Sequence, residues 1–100
     1  MSRFSDVINR QLELFTSEQA ALIEDCDTAE LKYDQADRED AEERYADYLD
    51  LVETGTEELA AMRDNFASAM DEESAEQYEA EFNSAVAQRL PRFALEIEDT

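Results

Sequence analysis

Twenty-eight side chains of this 100-residue chain are carboxylates, and it holds four tyrosines, one cysteine and no histidine. Any chemistry it performs must be assembled from that inventory. Carboxylates bind hard cations, or act in pairs as general acid and base when their environments drive their pKa values apart. Asp34, Asp37 and Asp40, or Glu39, Glu42 and Glu43, recur at helical spacing and are the candidate cation ligands. Helical di-iron sites, however, join Glu from several helices to Glu-x-x-His pairs, and the chain lacks His. No window fits the calcium-binding loop, which needs alternating oxygen ligands, a central Gly and a final Glu. A carboxylate-only metal-binding bundle is therefore the least supported reading, and no metal and no cofactor is expected.

Nucleophilic chemistry fares no better. Without His, Ser or Cys lacks its commonest base. Cys26 falls on an apolar stripe between Leu22 and Ala29, with Asp25 and Asp27 beside it. Those neighbours disfavour a thiolate, so Cys26 is expected to pack as a small apolar side chain. A single Gly leaves no phosphate-cradling loop and no dinucleotide fingerprint. The chain is expected not to be an enzyme and to have no catalytic residue.

The elements that must position these residues are helices. One Gly and one Pro leave little material for hairpin turns, and Ala, Glu, Leu, Gln and Arg favour helix. Steps of three and four from Ile8 visit Leu12, Phe15, Gln19, Leu22, Cys26, Ala29, Tyr33 and Ala36, one stripe with a polar interruption at Gln19. A second stripe visits Ala41, Tyr45, Tyr48, Val52, Gly55, Leu59, Met62, Phe66 and Ala69. A third visits Tyr78, Phe82, Val86, Leu90, Phe93 and Ile97.

The rhythm breaks within Ala36–Asp40, which predicts a turn between antiparallel helices. Without that turn, one helix over 4–53 would run about 75 Å at roughly 1.5 Å per residue and would demand a second copy to cover it. Thr54-Gly55-Thr56-Glu57 resembles a capping box, yet the stripe crosses Gly55 in phase, which favours a continuous or kinked helix. Asp71-Glu72-Glu73-Ser74 supplies N-cap candidates, and Pro91 should kink or end the last helix near Leu90. The expectation is an all-α antiparallel bundle of three long helices, 4–36, 38–70 and 73–97, forming one domain over 1–100. Helices become four if Gly55 is a turn. Long helices with a narrow apolar seam often bury it against a second copy, so a dimer is expected.

Length, acidity and a mid-chain Gly55 resemble the small helical-hairpin proteins of the WXG type. Glu53-Thr54-Gly55 lacks the Trp of their turn, and no family is assigned.

A net charge of −20 repels nucleic-acid backbones and anionic lipid surfaces, since both are bound by clustered cations. Direct nucleic-acid or membrane binding is therefore excluded from the expectations, and a basic protein partner fits the field. The charge is also what solubility or a salty cytoplasm would select. One Cys permits no intrachain disulfide, no apolar run approaches the ~20 residues of a membrane span, and Met1–Asp6 lacks a secretory apolar stretch. A cytoplasmic location is expected.

The leading functional reading is a non-enzymatic helical interaction protein, an adaptor or small regulatory subunit that self-associates. Its candidate interaction residues are Leu12, Phe15, Gln19, Leu22, Tyr45, Tyr48 and Val52, with Leu14, Leu31, Leu49, Leu51 and Leu95 widening the apolar faces off the main stripes. The alternatives are an acidic mimic of a nucleic-acid backbone, seated on a basic DNA- or RNA-binding protein, and the carboxylate-only metal bundle.

Overall fold

The three apolar stripes are carried by four helices and two short 3-10 turns. A computed structural model describes residues 3–100. It contains α1 (Ser5–Glu18), α2 (Ala20–Asp34), α3 (Ala41–Ala67) and α4 (Glu72–Arg89), followed by two 3-10 turns, Pro91–Phe93 and Ile97–Asp99. Among the described residues there is no strand. The molecule measures 50 × 24 × 21 Å.

The fourth helix arises at Gln19, where sequence periodicity places no boundary. Gln19 leaves helical geometry (φ −104°, ψ 26°), but its N–H still donates to the Phe15 carbonyl at 2.8 Å and its own carbonyl accepts from Ile23 at 3.0 Å. The bond ladder is bent rather than cut, so Ile8, Leu12, Phe15, Cys26 and Ala29 remain on one buried face. One turn earlier the Thr16 hydroxyl donates to the Leu12 carbonyl at 2.9 Å.

Residues 35–40 form the expected turn, and α2 lies against α3. Their direction is antiparallel, because the Tyr33 ring meets Tyr45 near the turn while Asp25 and Leu51 line one depression farther away. Helix α3 runs unbroken through Gly55. Thr54, proposed as a cap, instead sits inside α3 with its hydroxyl donating to the Asp50 carbonyl at 3.0 Å.

Asp71 caps α4: its backbone is extended and its carboxylate accepts the Ser74 N–H at 3.2 Å. Hydrogen bonding from the Ser74 side chain, and next from its N–H, holds the Asp71 carboxyl below its ordinary value. Helix α4 ends at Arg89, earlier than residue 97, because Pro91 supplies no N–H to continue it. The chain then turns back along α3.

The core lies at the end of the bundle where α1, α4, the second half of α3 and the C-terminal turns converge. Leu12, Phe15, Leu59, Tyr78, Phe82, Val86, Phe93 and Ile97 are buried there. Tyr78 takes edge-on contact from Phe4 and touches Phe66 and Phe82, while its hydroxyl donates to Gln11 Oε1 at 2.8 Å. Burial pushes the Tyr78 hydroxyl up to about 12, against the opposing pull of the Gln11 hydrogen bond.

Candidate functional site

Beyond that core, the first half of α3 and the last half of α2 form a hairpin with little covering it. All six buried residues of α3 lie from Gly55 onward. Before that point the apolar side chains are open to solvent or half-buried, and Tyr33, Tyr45 and Tyr48 follow one another along the hairpin with ring centroids 5.0 and 6.4 Å apart. This line of rings leads into a groove of about 580 Å³ between α3 and the C-terminal turns.

Tyr45, Tyr48, Leu49 and Val52 form the α3 wall of the groove, and Pro91 and Leu95 lie on the opposite side. Periodicity explains the α3 wall, since these positions are spaced by three and four along one helical face. Leu95 projects from the far side with 88% of its surface exposed, while Tyr45 and Leu49 are 44% and 40% exposed. Glu53, Glu57, Glu96 and Asp99 surround the apolar floor and are all exposed.

Among the described residues, Arg92 is the one cation lining the groove, and its charge is already engaged. The guanidinium meets Asp27 at 2.9 Å and Glu30 at 3.2 Å, its Nε donates to the Tyr48 hydroxyl at 3.2 Å, and it lies 5.7 Å from the Tyr48 ring centroid. Burial works against its charge, but the bonds to Asp27 and Tyr48 prevail and leave Arg92 above its ordinary pKa. Arg92 thereby ties the C-terminal segment to both helices of the hairpin, fixing the groove's width.

Three contacts unseen in the sequence hold that segment down. Gly55 lets the α3 backbone approach the Phe93 ring; a Cβ added there would lie 2.7 Å from Phe93 Cδ1. Arg63, only 5% exposed, donates to Asp64 Oδ1 at 2.9 Å, Asn83 Oδ1 at 2.9 Å, the Ile97 carbonyl at 2.7 Å and the Thr100 main-chain oxygen at 2.6 Å. The buried Thr56 hydroxyl lies 3.1 Å from both the Val52 and Phe93 carbonyl oxygens. Arg63 and Thr56 stand beside stripe members Met62 and Gly55, so only a wider reading of the α3 face would have found them.

Of the candidate interaction residues, Tyr45, Tyr48 and Val52 meet in the groove. Leu12 and Phe15 are buried in the protein's own core and present nothing to a partner. Gln19 and Leu22 are half-buried at and after the α1–α2 bend, away from the groove lining. Leu49 and Leu95, off the main stripes, are the additions that complete it.

Cys26 is fully buried, and desolvation, reinforced by Asp27, Asp25 and Glu30, pushes its thiol up despite the nearby Arg92. Asp34, Asp37, Asp40, Glu39, Glu42 and Glu43 are all exposed. Among the described residues, no group of three or more Cys, Asp or Glu side chains is placed to hold a metal ion. Among the described residues, no helix is long and apolar enough to cross a membrane. Comparison with protein-family models, with curated proteins and with solved structures finds no significant match.

Proposed function

We propose that the chain is a non-enzymatic helical interaction protein, an adaptor or small regulatory subunit, whose working face is the groove and the adjoining hairpin. The observation that carries this reading is the exposure of Tyr45, Leu49 and Leu95 around one depression. Apolar side chains gathered at a concave surface mark contact sites more often than singly scattered ones do. The arrangement offers shape and apolar area, with its charged groups at the edge, which is the anatomy of a docking surface.

Self-association is a second reading, favoured by the hairpin. Two helices with Leu31, Tyr33, Tyr45 and Leu49 exposed are suited to pair with a second such hairpin as a four-helix bundle. The net charge of −20 on each copy opposes that pairing, least at high salt.

A photo-crosslinking side chain placed at Leu49, and separately at exposed Glu76 on α4, tests the reading in cells. Crosslinks to protein from position 49 and none from position 76 are expected. A product of twice the chain mass, matched by light scattering, would identify self-association. Absence of any product from position 49 in a folded protein would overturn the assignment of this face.

A further inference from the structure

We propose that the groove receives a cationic amphipathic helix of another protein, an inference that deepens the interaction-protein reading and rests on it. The α3 wall from Tyr45 to Glu57 covers twelve steps of about 1.5 Å, a face of roughly 18 Å, which matches about three turns of a docked helix. A helix lying there presents apolar anchors at i, i+3, i+4 and i+7 to Tyr45, Leu49, Val52 and Leu95.

Charge decides which helix. The flanks of such a ligand face Glu53 and Glu57 on one side and Glu96 and Asp99 on the other, all open to solvent. Among the described residues Arg92 is the only cation lining the groove, and it is already held by Asp27 and Glu30, so it offers little to an anionic partner. Lysines or arginines bordering the ligand's apolar stripe therefore complete the contact. A second copy of this chain would bring another −20 charges to the same acidic rim, so complementarity favours a basic partner over self-pairing.

The test uses the full chain and a fluorescent synthetic peptide of Leu and Lys, with Leu at i, i+3, i+4 and i+7. Its control contains the same residues in an order with no apolar helical face. Fluorescence anisotropy should show the amphipathic peptide binding at least about tenfold more tightly, the scale of burying one large apolar side chain. Any acidic protein attracts lysines, so the deciding variant is Leu95→Glu. Leu95 is almost fully exposed, and the fold should survive its replacement, as helicity and melting would verify.

If the groove anchors the peptide, Leu95→Glu weakens binding about tenfold even though it adds a negative charge. The double variant Glu53→Gln, Glu57→Gln should weaken it too and flatten its salt dependence. Equal binding of the two peptides, or tighter binding by Leu95→Glu, overturns the proposal. So does a salt-stable dimer that Leu95→Glu dissociates and the peptide does not displace, which makes a second copy the occupant. Peptide failure with crosslinks from position 49 intact removes the cationic helix alone; loss of both removes the interaction reading.

Discussion

Phe93 meets α3 at Gly55, and this contact reverses the usual effect of a helical glycine. In a helix interior, Gly→Ala ordinarily stabilises by about 1 kcal/mol. Here the added methyl overlaps the Phe93 ring, which also packs edge-on with Phe15 at 5.6 Å between centroids. The ring cannot withdraw without disturbing the core. Gly55→Ala is therefore expected to destabilise by about 1–3 kcal/mol, the cost of overpacking. Phe93→Leu alone should also destabilise, but the double variant should cost less than the two singles summed, by about 1 kcal/mol of coupling. Thermal and denaturant unfolding of the four proteins closes this cycle, and a raised melting temperature for Gly55→Ala would refute the contact. The sequence showed that the apolar rhythm crosses Gly55 without losing phase, and hence that helix was favoured over turn. It did not show the reason for glycine, which lies 38 positions away at Phe93. Arg63 was illegible for a related cause. A charged side chain on an inward face is recognisable only when its acceptors are known, and two of them are main-chain oxygens of the returning C-terminal segment.

At the scale of elements, local rules read well wherever local interactions decide. The turn over 35–40, the Asp71 cap and the stop at Pro91 each follow from the residues at those positions. The bend at Gln19 does not, because the stripe continues through it and the bond ladder survives. Burial also differs along a single helix in a way the even periodicity of the second stripe conceals. Between Ala41 and Thr54 no residue of α3 is buried, and the C-terminal segment reaches it through Arg92 at Tyr48, whereas from Gly55 onward six residues are buried. Opening of the hairpin end therefore exposes little apolar surface, and local openings follow such differences. Amide hydrogen exchange should show protection across 42–50 at least about tenfold below that across 58–66. Uniform protection along α3 would mean that the helix opens as one unit and that the hairpin end is covered in solution. If the groove is occupied as proposed, the cationic peptide should raise protection over 45–57 and leave α4 unchanged.

Over the whole molecule, charge opposes compaction. Eight cations face twenty-eight carboxylates, and two of those cations, Arg63 and Arg92, are taken up by ion pairs with Asp64 and with Asp27 and Glu30. Two like charges about 6 Å apart repel by about 0.7 kcal/mol in water, and many carboxylates lack a partner to offset that term. The Debye length shrinks from about 10 Å at 0.1 M salt to about 3 Å at 1 M, so screening falls mainly on this repulsion. Raising sodium chloride from about 0.05 to 1 M should therefore raise the melting temperature, by at least about 5 °C if screening relieves 1 kcal/mol. Lowering the pH from about 7 to 4.5 at low salt should act in the same direction by neutralising part of the surface. The Asp71 cap survives this change. Its carboxyl is held low in the folded protein, so the stabilisation it gives is present above the ordinary Asp pKa of about 3.9 and is lost only as the pH falls through its lower folded value. Screening must also be separated from the salting-out effect that strengthens apolar burial. Sodium sulfate and sodium chloride at matched ionic strength should give the same early rise, diverging only at high concentration. A melting temperature that falls with chloride, or rises only with sulfate, would show that repulsion does not govern the stability of this fold.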